Sequence, residues 1–140
     1  MSKDFQQFGE VVQPEGWPMP RGYVNGMITR GRLLHVAGQI GWNAAGEFPF
    51  TDMVGQFGLA LENVLTVIQA AGGQPTDLAR LTIYVTDLNA YRQNLRALGA
   101  AWRERAGRHY PAMALVGVAG LVEPRALIEM EAVASLPESA

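Results

Sequence analysis

Cysteine is absent from the 140-residue chain, which removes disulfide scaffolds, thiol nucleophiles, zinc ribbons and iron–sulfur clusters. Histidine is scarce: His35 and His109 are the only two, too few for a three-histidine zinc site. Lysine is scarcer still. Of 11 basic residues only Lys3, in the N-terminal segment, is a lysine, so a Schiff-base mechanism or a Walker-type phosphate loop has no residue to work with. No run approaches the ~18 consecutive apolar residues of a membrane span. The opening Met-Ser-Lys-Asp-Phe-Gln-Gln-Phe has no apolar stretch behind its charge, so a secretory signal is not expected. Lys+Arg 11 against Asp+Glu 13 leaves a net charge of −2, with no electrostatic footprint for nucleic acid or an anionic membrane. A cytoplasmic protein without cofactor or metal is the expectation. Its chemistry is then left to carboxylates, backbone amides, hydroxyls, arginines and water.

What is present suits one globular domain. The chain is 49% hydrophobic and 17% charged, and a domain of this length buries roughly 70% of the surface its unfolded chain exposes. Pro14, Pro18 and Pro20, with Gly16 and Trp17, make an extended or turn-rich lead-in. The division expected is a lead-in over 1–22, a single domain over 23–135 and a frayed tail over 136–140.

Tyr23–Thr29 and Leu33–Ala37 read as strands joined by Arg30-Gly31-Arg32 in a hairpin. Phe57, Leu61, Val64, Leu65 and Ile68 share one helical face. Thr51 or Asp52 caps that helix and Gly72-Gly73 stops it. Gly55 and Gly58 weaken its first turns, or admit a close approach of backbone to the sheet. Leu81–Thr86 alternates as a strand, with Leu81, Ile83 and Val85 on one face and Thr82, Tyr84 and Thr86 on the other. Asp87 or Asn89 opens a second helix with the stripe Tyr91, Leu95, Leu98 and Trp102. Arg92, Arg96, Arg103 and Arg105 fall off that stripe and belong in water. Ala112–Val118 and Leu127–Val133 are the last strands. The order β-β-α-β-α-β-β predicts one mixed sheet with both helices on one face, an α+β fold. The bare face needs a cover, and another subunit would supply it.

The C-terminal third carries a more specific pattern. It runs Pro111-Ala112-Met113-Ala114-Leu115-Val116-Gly117-Val118-Ala119-Gly120-Leu121 and, after six residues, Ile128-Glu129-Met130-Glu131-Ala132-Val133-Ala134. Upstream stand Val36-Ala37-Gly38-Gln39-Ile40, Leu61-Glu62-Asn63-Val64 with Ala70-Ala71-Gly72, and Tyr84-Val85-Thr86-Asp87-Leu88. In order and spacing these segments resemble the RidA/YjgF family of imine deaminases, from about Tyr23 to Ala134. The resemblance implies a chorismate-mutase-like α+β fold. It further implies a homotrimer with inward-packed sheets and small-molecule sites at the subunit interfaces. The implied chemistry is hydrolysis of 2-imino or 2-enamino acids to 2-oxo acids and ammonia.

Carried over residue by residue, the resemblance assigns a ligand-facing tyrosine to Tyr23, a ligand-facing backbone pair to Ala37 and Gly38, and the final-strand glutamate to Glu129. The arginine that grips a substrate carboxylate falls on Met113. Its neighbour two residues on is Leu115, and a helix asparagine falls on Leu95, one position from Asn94. Arginine suits that grip because its planar fork gives a carboxylate two charge-assisted hydrogen bonds. Methionine offers only a polarizable apolar surface. The departure predicts an apolar pocket wall and a substrate other than a simple 2-imino acid. It also predicts that Met113→Arg raises activity towards small 2-imino acids.

Each candidate has a plainer reading. Glu129 positions or deprotonates water, or else it and Glu131 are solvated or subunit-bridging carboxylates. Tyr23 bonds a ligand or is an ordinary half-buried tyrosine. Trp17 is a hydrophobic anchor or folds over the cleft. Arg108 replaces the missing arginine from its loop, with Arg32 and Arg125 as weaker substitutes, or stays solvated. His109 is a candidate acid or base near neutral pH, whereas His35, in an apolar strand, reads as a structural histidine. The alternative function is a non-catalytic ligand-binding or regulatory trimer of the same fold. RNA cleavage, a third activity associated with the family, is opposed by the charge balance.

Overall fold

A computed structural model describes residues 9–138 of the chain; Lys3 and the rest of 1–8, with 139–140, lie outside them. Six strands and three helices follow one another as β1 (Gly9–Val12), β2 (Gly26–Thr29), β3 (Arg32–Ile40), α1 (Met53–Ala70), β4 (Leu78–Val85), α2 (Leu88–Arg92), α3 (Leu95–Ala106), β5 (Ala112–Gly117) and β6 (Ile128–Leu136). The main sheet has the order β3-β6-β4-β5. It is mixed: β6 is antiparallel to β3 and β4, while β5 is parallel to β4. This is the expected α+β architecture.

The core lies between the sheet and the helices. Leu81, Ile83 and Val85 of β4 and Ile128, Met130, Ala132 and Ala134 of β6 meet Phe57, Leu61, Val64 and Ile68 of α1 and Leu98 and Trp102 of α3. Asp52 caps α1 by accepting from the Gly55 amide at 3.0 Å. The helix ends before Gly72, whose φ of 90° falls in the left-handed region where glycine is at home.

Several expectations change. The strands at 26–29 and 32–40 do not form a hairpin. Instead β2 pairs with β1 in a separate two-stranded ribbon, and β3 pairs with β6. Gly31 (φ 106°) carries the chain from ribbon to sheet, and the Ser135 hydroxyl donates to the Arg30 carbonyl at that joint. The strand at Gly9–Val12 lies in the lead-in, where no strand was expected. Leu136, expected in the tail, is buried and closes β6 opposite Arg32.

The second helix breaks at Gln93–Asn94 into α2 and α3. Asp87 caps α2 through the Ala90 amide at 3.0 Å. The break rotates Leu95 off the apolar stripe, leaving it 58% exposed. Arg105 does not stand in water with its neighbours. It crosses to Glu62 of α1 at 2.9 Å and donates to the Ala101 carbonyl at 2.9 Å. Gly58 makes room for it, since a Cβ there would meet the Arg105 guanidinium at 2.7 Å. Gly55 likewise makes room for the Phe50 ring. Neither glycine serves an approach to the sheet.

The histidines exchange the roles expected of them. His35 is exposed on the open face of β3. His109 is buried; its Nε2 lies 2.7 Å from the Leu78 carbonyl, and its own carbonyl accepts from Trp102 Nε1 at 3.0 Å. Burial pushes the imidazole below its ordinary 6.5, against the opposing pull of the Leu78 hydrogen bond. A depressed folded value means that the unfolded chain binds the extra proton first. The stability due to His109 is therefore full above 6.5 and is lost as the pH falls towards the folded value. Urea midpoints should drop between pH 7.5 and 5.5 by more in the parent than in His109→Gln.

Candidate active site

The helices cover one face of the sheet, and strand alternation decides what the other presents. Register pairs Tyr84 with Glu129, Thr82 with Glu131 and Arg80 with Val133. The parallel ladder sets Ala114 beside Thr82 and Val116 beside Tyr84. On β3, His35 stands opposite Val133. The open face is thus a polar patch of Tyr84, Glu129, Glu131, Thr82, Arg80 and His35, bordered by Ala114 and Val116.

The ladder between β3 and β6 slips between Val36 and Gln39, a bulge containing Ala37 and Gly38. The Glu129 side chain fills the space that Gly38 leaves. A Cβ on Gly38 would lie 3.1 Å from Glu129 Cγ and 2.8 Å from its Cδ, with the carboxylate closer still. The carboxylate is seated on the strand backbone itself. No described residue donates a hydrogen bond to it, and its Oε2 is the atom that lies closest over Gly38.

Glu131 stands in contrast. Tyr84 donates its phenolic proton to Glu131 Oε2 at 2.6 Å. That hydrogen bond holds the phenol above its usual value; desolvation and the charges of Glu131 and Glu129 add to the rise, and Arg80 opposes it. Tyr84 is a neutral donor throughout the neutral range.

The other candidates lie elsewhere in the protomer. Met113 and Leu115 pair with Leu81 and Ile83 and pack against the core, on the helix side of the sheet. Glu129 is on the opposite side. Tyr23 is 41% exposed and borders the outer edge of β5, because Val24 bridges Ala112 and donates to the Pro111 carbonyl at 3.0 Å. Arg108 is exposed in the loop before β5. Arg32 donates to the Pro137 carbonyl at 2.9 Å. Arg125 pairs with Glu123 at 2.9 Å, which holds that carboxyl below its usual range, and lies over the Phe48 ring at 4.7 Å. Asn94 is occupied with the Ala90 carbonyl at 2.7 Å. Trp17 is 59% exposed in the turn that begins at Pro14. The structure brings Glu129, Ala37 and Gly38 together and keeps Met113, Leu115, Tyr23 and Arg108 apart from them.

Two residues of consequence were not foreseen as such. Alternation sets Tyr84 on the face away from Leu81, Ile83 and Val85, but only the β4–β6 register joins it to Glu129 and Glu131. Gln56 stands in the first turns of α1 and is 1% exposed. Its Nε2 donates to the carbonyls of Phe50 (3.1 Å) and Arg125 (3.0 Å), and its Oε1 accepts from the Leu127 amide at 2.7 Å. It ties the loops at the ends of β3 and β6, next to the bulge.

The family described as Endoribonuclease L-PSP matches this chain over residues 18–136. The chain belongs to the RidA/YjgF family. Among RidA/YjgF relatives, a RutC family protein of Pyrococcus horikoshii is 32% identical over 126 residues, 89% of this chain and 96% of the relative. The 2-iminobutanoate/2-iminopropanoate deaminase of Escherichia coli is 34% identical over 127 residues, again 89% and 96%. Among solved structures, the Rid protein YyfB of Yersinia pestis superposes with a TM-score of 0.80 at 36% identity, covering 91% of this chain and 98% of that one. E. coli TdcF with bound serine gives 0.66 at 30% identity, covering 91% and 98%. Among the described residues no helix is long and apolar enough to cross a membrane.

Proposed function

We propose that the protein hydrolyses a reactive imine or enamine, adding water and releasing ammonia. The observation that carries this reading is the Glu129 carboxylate, seated on Gly38 with no described residue bonded to it. An enamine first tautomerises to the imine; water bound at Glu129 then gives it a proton while the water oxygen bonds to the C=N carbon, the C=N π pair moves to nitrogen, and Glu129 returns the proton there. The carbinolamine then collapses: the C–N bond breaks, ammonia leaves and a ketone remains. The relatives named as iminobutanoate and iminopropanoate deaminases support this chemistry.

The substrate is not a simple 2-imino acid. At the position where the family resemblance puts its carboxylate-gripping arginine stands Met113, turned towards the core. The bare sheet face is covered by further copies in a homotrimer, with the ligand at the subunit boundary. The protein works in the cytoplasm. Two glutamates against Arg80 on that face disfavour an RNA backbone.

Ammonia release from enzymatically generated imines, with cyclic enamines included, tests the reading. Glu129→Gln should lower kcat by about 100-fold or more. The Met113 departure also favours a second reading, a ligand-binding trimer without turnover. Metabolite binding with no ammonia release across the panel would select it.

A further inference from the structure

We propose that the outer side of α3 is a docking surface for an acidic helix of a partner protein, one that carries two carboxylates seven residues apart. The surface belongs to the helix layer, on the opposite side of the sheet from Glu129. Its charge is set by the sequence. Residues 88–122 hold Arg92, Arg96, Arg103, Arg105 and Arg108 against the single acid Glu104, in a chain whose net charge is −2. The structure leaves that local excess unneutralised. Arg105 takes Glu62 at 2.9 Å and Glu104 at 3.5 Å. Arg92, Arg96, Arg103 and Arg108 are exposed and have no carboxylate partner among the described residues.

Arg96 and Arg103 stand two turns apart on one side of the helix, about 10 Å along its axis. Leu98, Ala101, Trp102 and Ala106 turn to the core, which fixes the arginine side outward. Between the two arginines on that side lie only Gly99 and Ala100. Arg103 lies back along the helix, its Nη1 3.2 Å from where a Gly99 Cβ would stand. With no larger side chain in the way, a second helix can approach to the short end of the usual range, about 8 Å between axes. Carboxylates seven residues apart on it then meet both guanidiniums, each through the two-pronged bond that arginine favours. A single-stranded nucleic acid fits less well, because it asks for aromatic platforms among the cations, and the aromatic side chain of α3, Trp102, is in the core. A lipid surface asks for large apolar side chains to insert, and none stands between Arg96 and Arg103.

The probe is an alanine-rich helical peptide of about 20 residues with two glutamates seven apart, labelled for fluorescence anisotropy, beside its glutamine counterpart. The full chain should bind the glutamate peptide saturably and the glutamine peptide about tenfold more weakly. Arg96→Glu with Arg103→Glu should weaken the glutamate peptide by about tenfold or more. The charge-matched control, Arg21→Glu with Arg30→Glu, should change it by less than about twofold. Gly99→Leu keeps every charge and favours the helix, since its Cβ meets only the mobile end of Arg103; it should weaken binding by blocking the approach. Melting temperatures of these exposed-site variants should match the parent's. No saturable binding by the parent overturns the proposal. Equal loss in the control overturns it by making the attraction one of net charge alone, and indifference to Gly99→Leu overturns the close helix contact. A short single-stranded RNA that outcompetes the peptide, and is lost with the same two arginines, overturns it in favour of a nucleic-acid surface.

Discussion

Gly38→Ala should abolish most turnover while leaving the fold intact. Gly38 has ordinary strand geometry, outside the left-handed region, so alanine strains no backbone. The three nearest atoms to an added Cβ all belong to the end of Glu129, a side chain with room to swing. The new methyl therefore evicts the carboxylate first. Displacing a reacting group by about 1 Å costs on the order of 100-fold in rate, and the methyl forces a shift of at least that size. The thermal midpoint should hold within a few degrees, because alanine is the better residue in a strand. Gly41→Ala supplies the contrast. A Cβ there meets the backbone of Gln56 at 2.8 Å, which has no free end to swing away, so that variant should lose stability first. Parallel melts and initial rates of the two variants decide the matter; equal loss of activity and stability at position 38 would refute the seat.

The largest effect on stability is expected at Gln56. Gln56→Leu keeps the volume and the helix but strips partners from two carbonyls and one amide. Leaving a buried polar group unmatched costs about 1–3 kcal/mol. With the two carbonyls close enough to the surface to regain water, a total of about 3 kcal/mol is expected. For a domain of this size that lowers the melting temperature by about 10 °C. Amide exchange at Leu127 should quicken first, since its acceptor is gone. A melt unchanged in Gln56→Leu would mean that the two loops are held by other contacts.

The parts of this fold that were legible in the sequence are those set by local period. The apolar stripe gave α1, and alternation gave β4 and β6 with the right residues facing inward. In β5 the longest side chains, Met113 and Leu115, share one parity and face the core, while Ala114 and Val116 take the other. Pairing partners were not legible. A run such as Gly26–Thr29 next to a glycine turn suggests a hairpin, yet β1, from the lead-in, takes the place beside it. Helix α2 gives no local sign of ending at Arg92, because the interruption lies in how Asn94 bonds back to Ala90. For the site, sequence named Glu129 and Gly38 but not the reason they meet, which is a bulge in β3. Gln56 hid within an apolar helix face, where its role depends on two loops far apart in the chain.

The exposure of His35 makes the protein its own reporter. No lysine or cysteine occurs among the described residues, and His109 is sealed in the core. Among the described residues a reagent that acylates imidazoles thus meets one exposed imidazole, on the bare face of the sheet that carries the glutamates. The speed of its reaction measures how much of that face is covered at any moment, by another copy or by a ligand, without a label having been introduced.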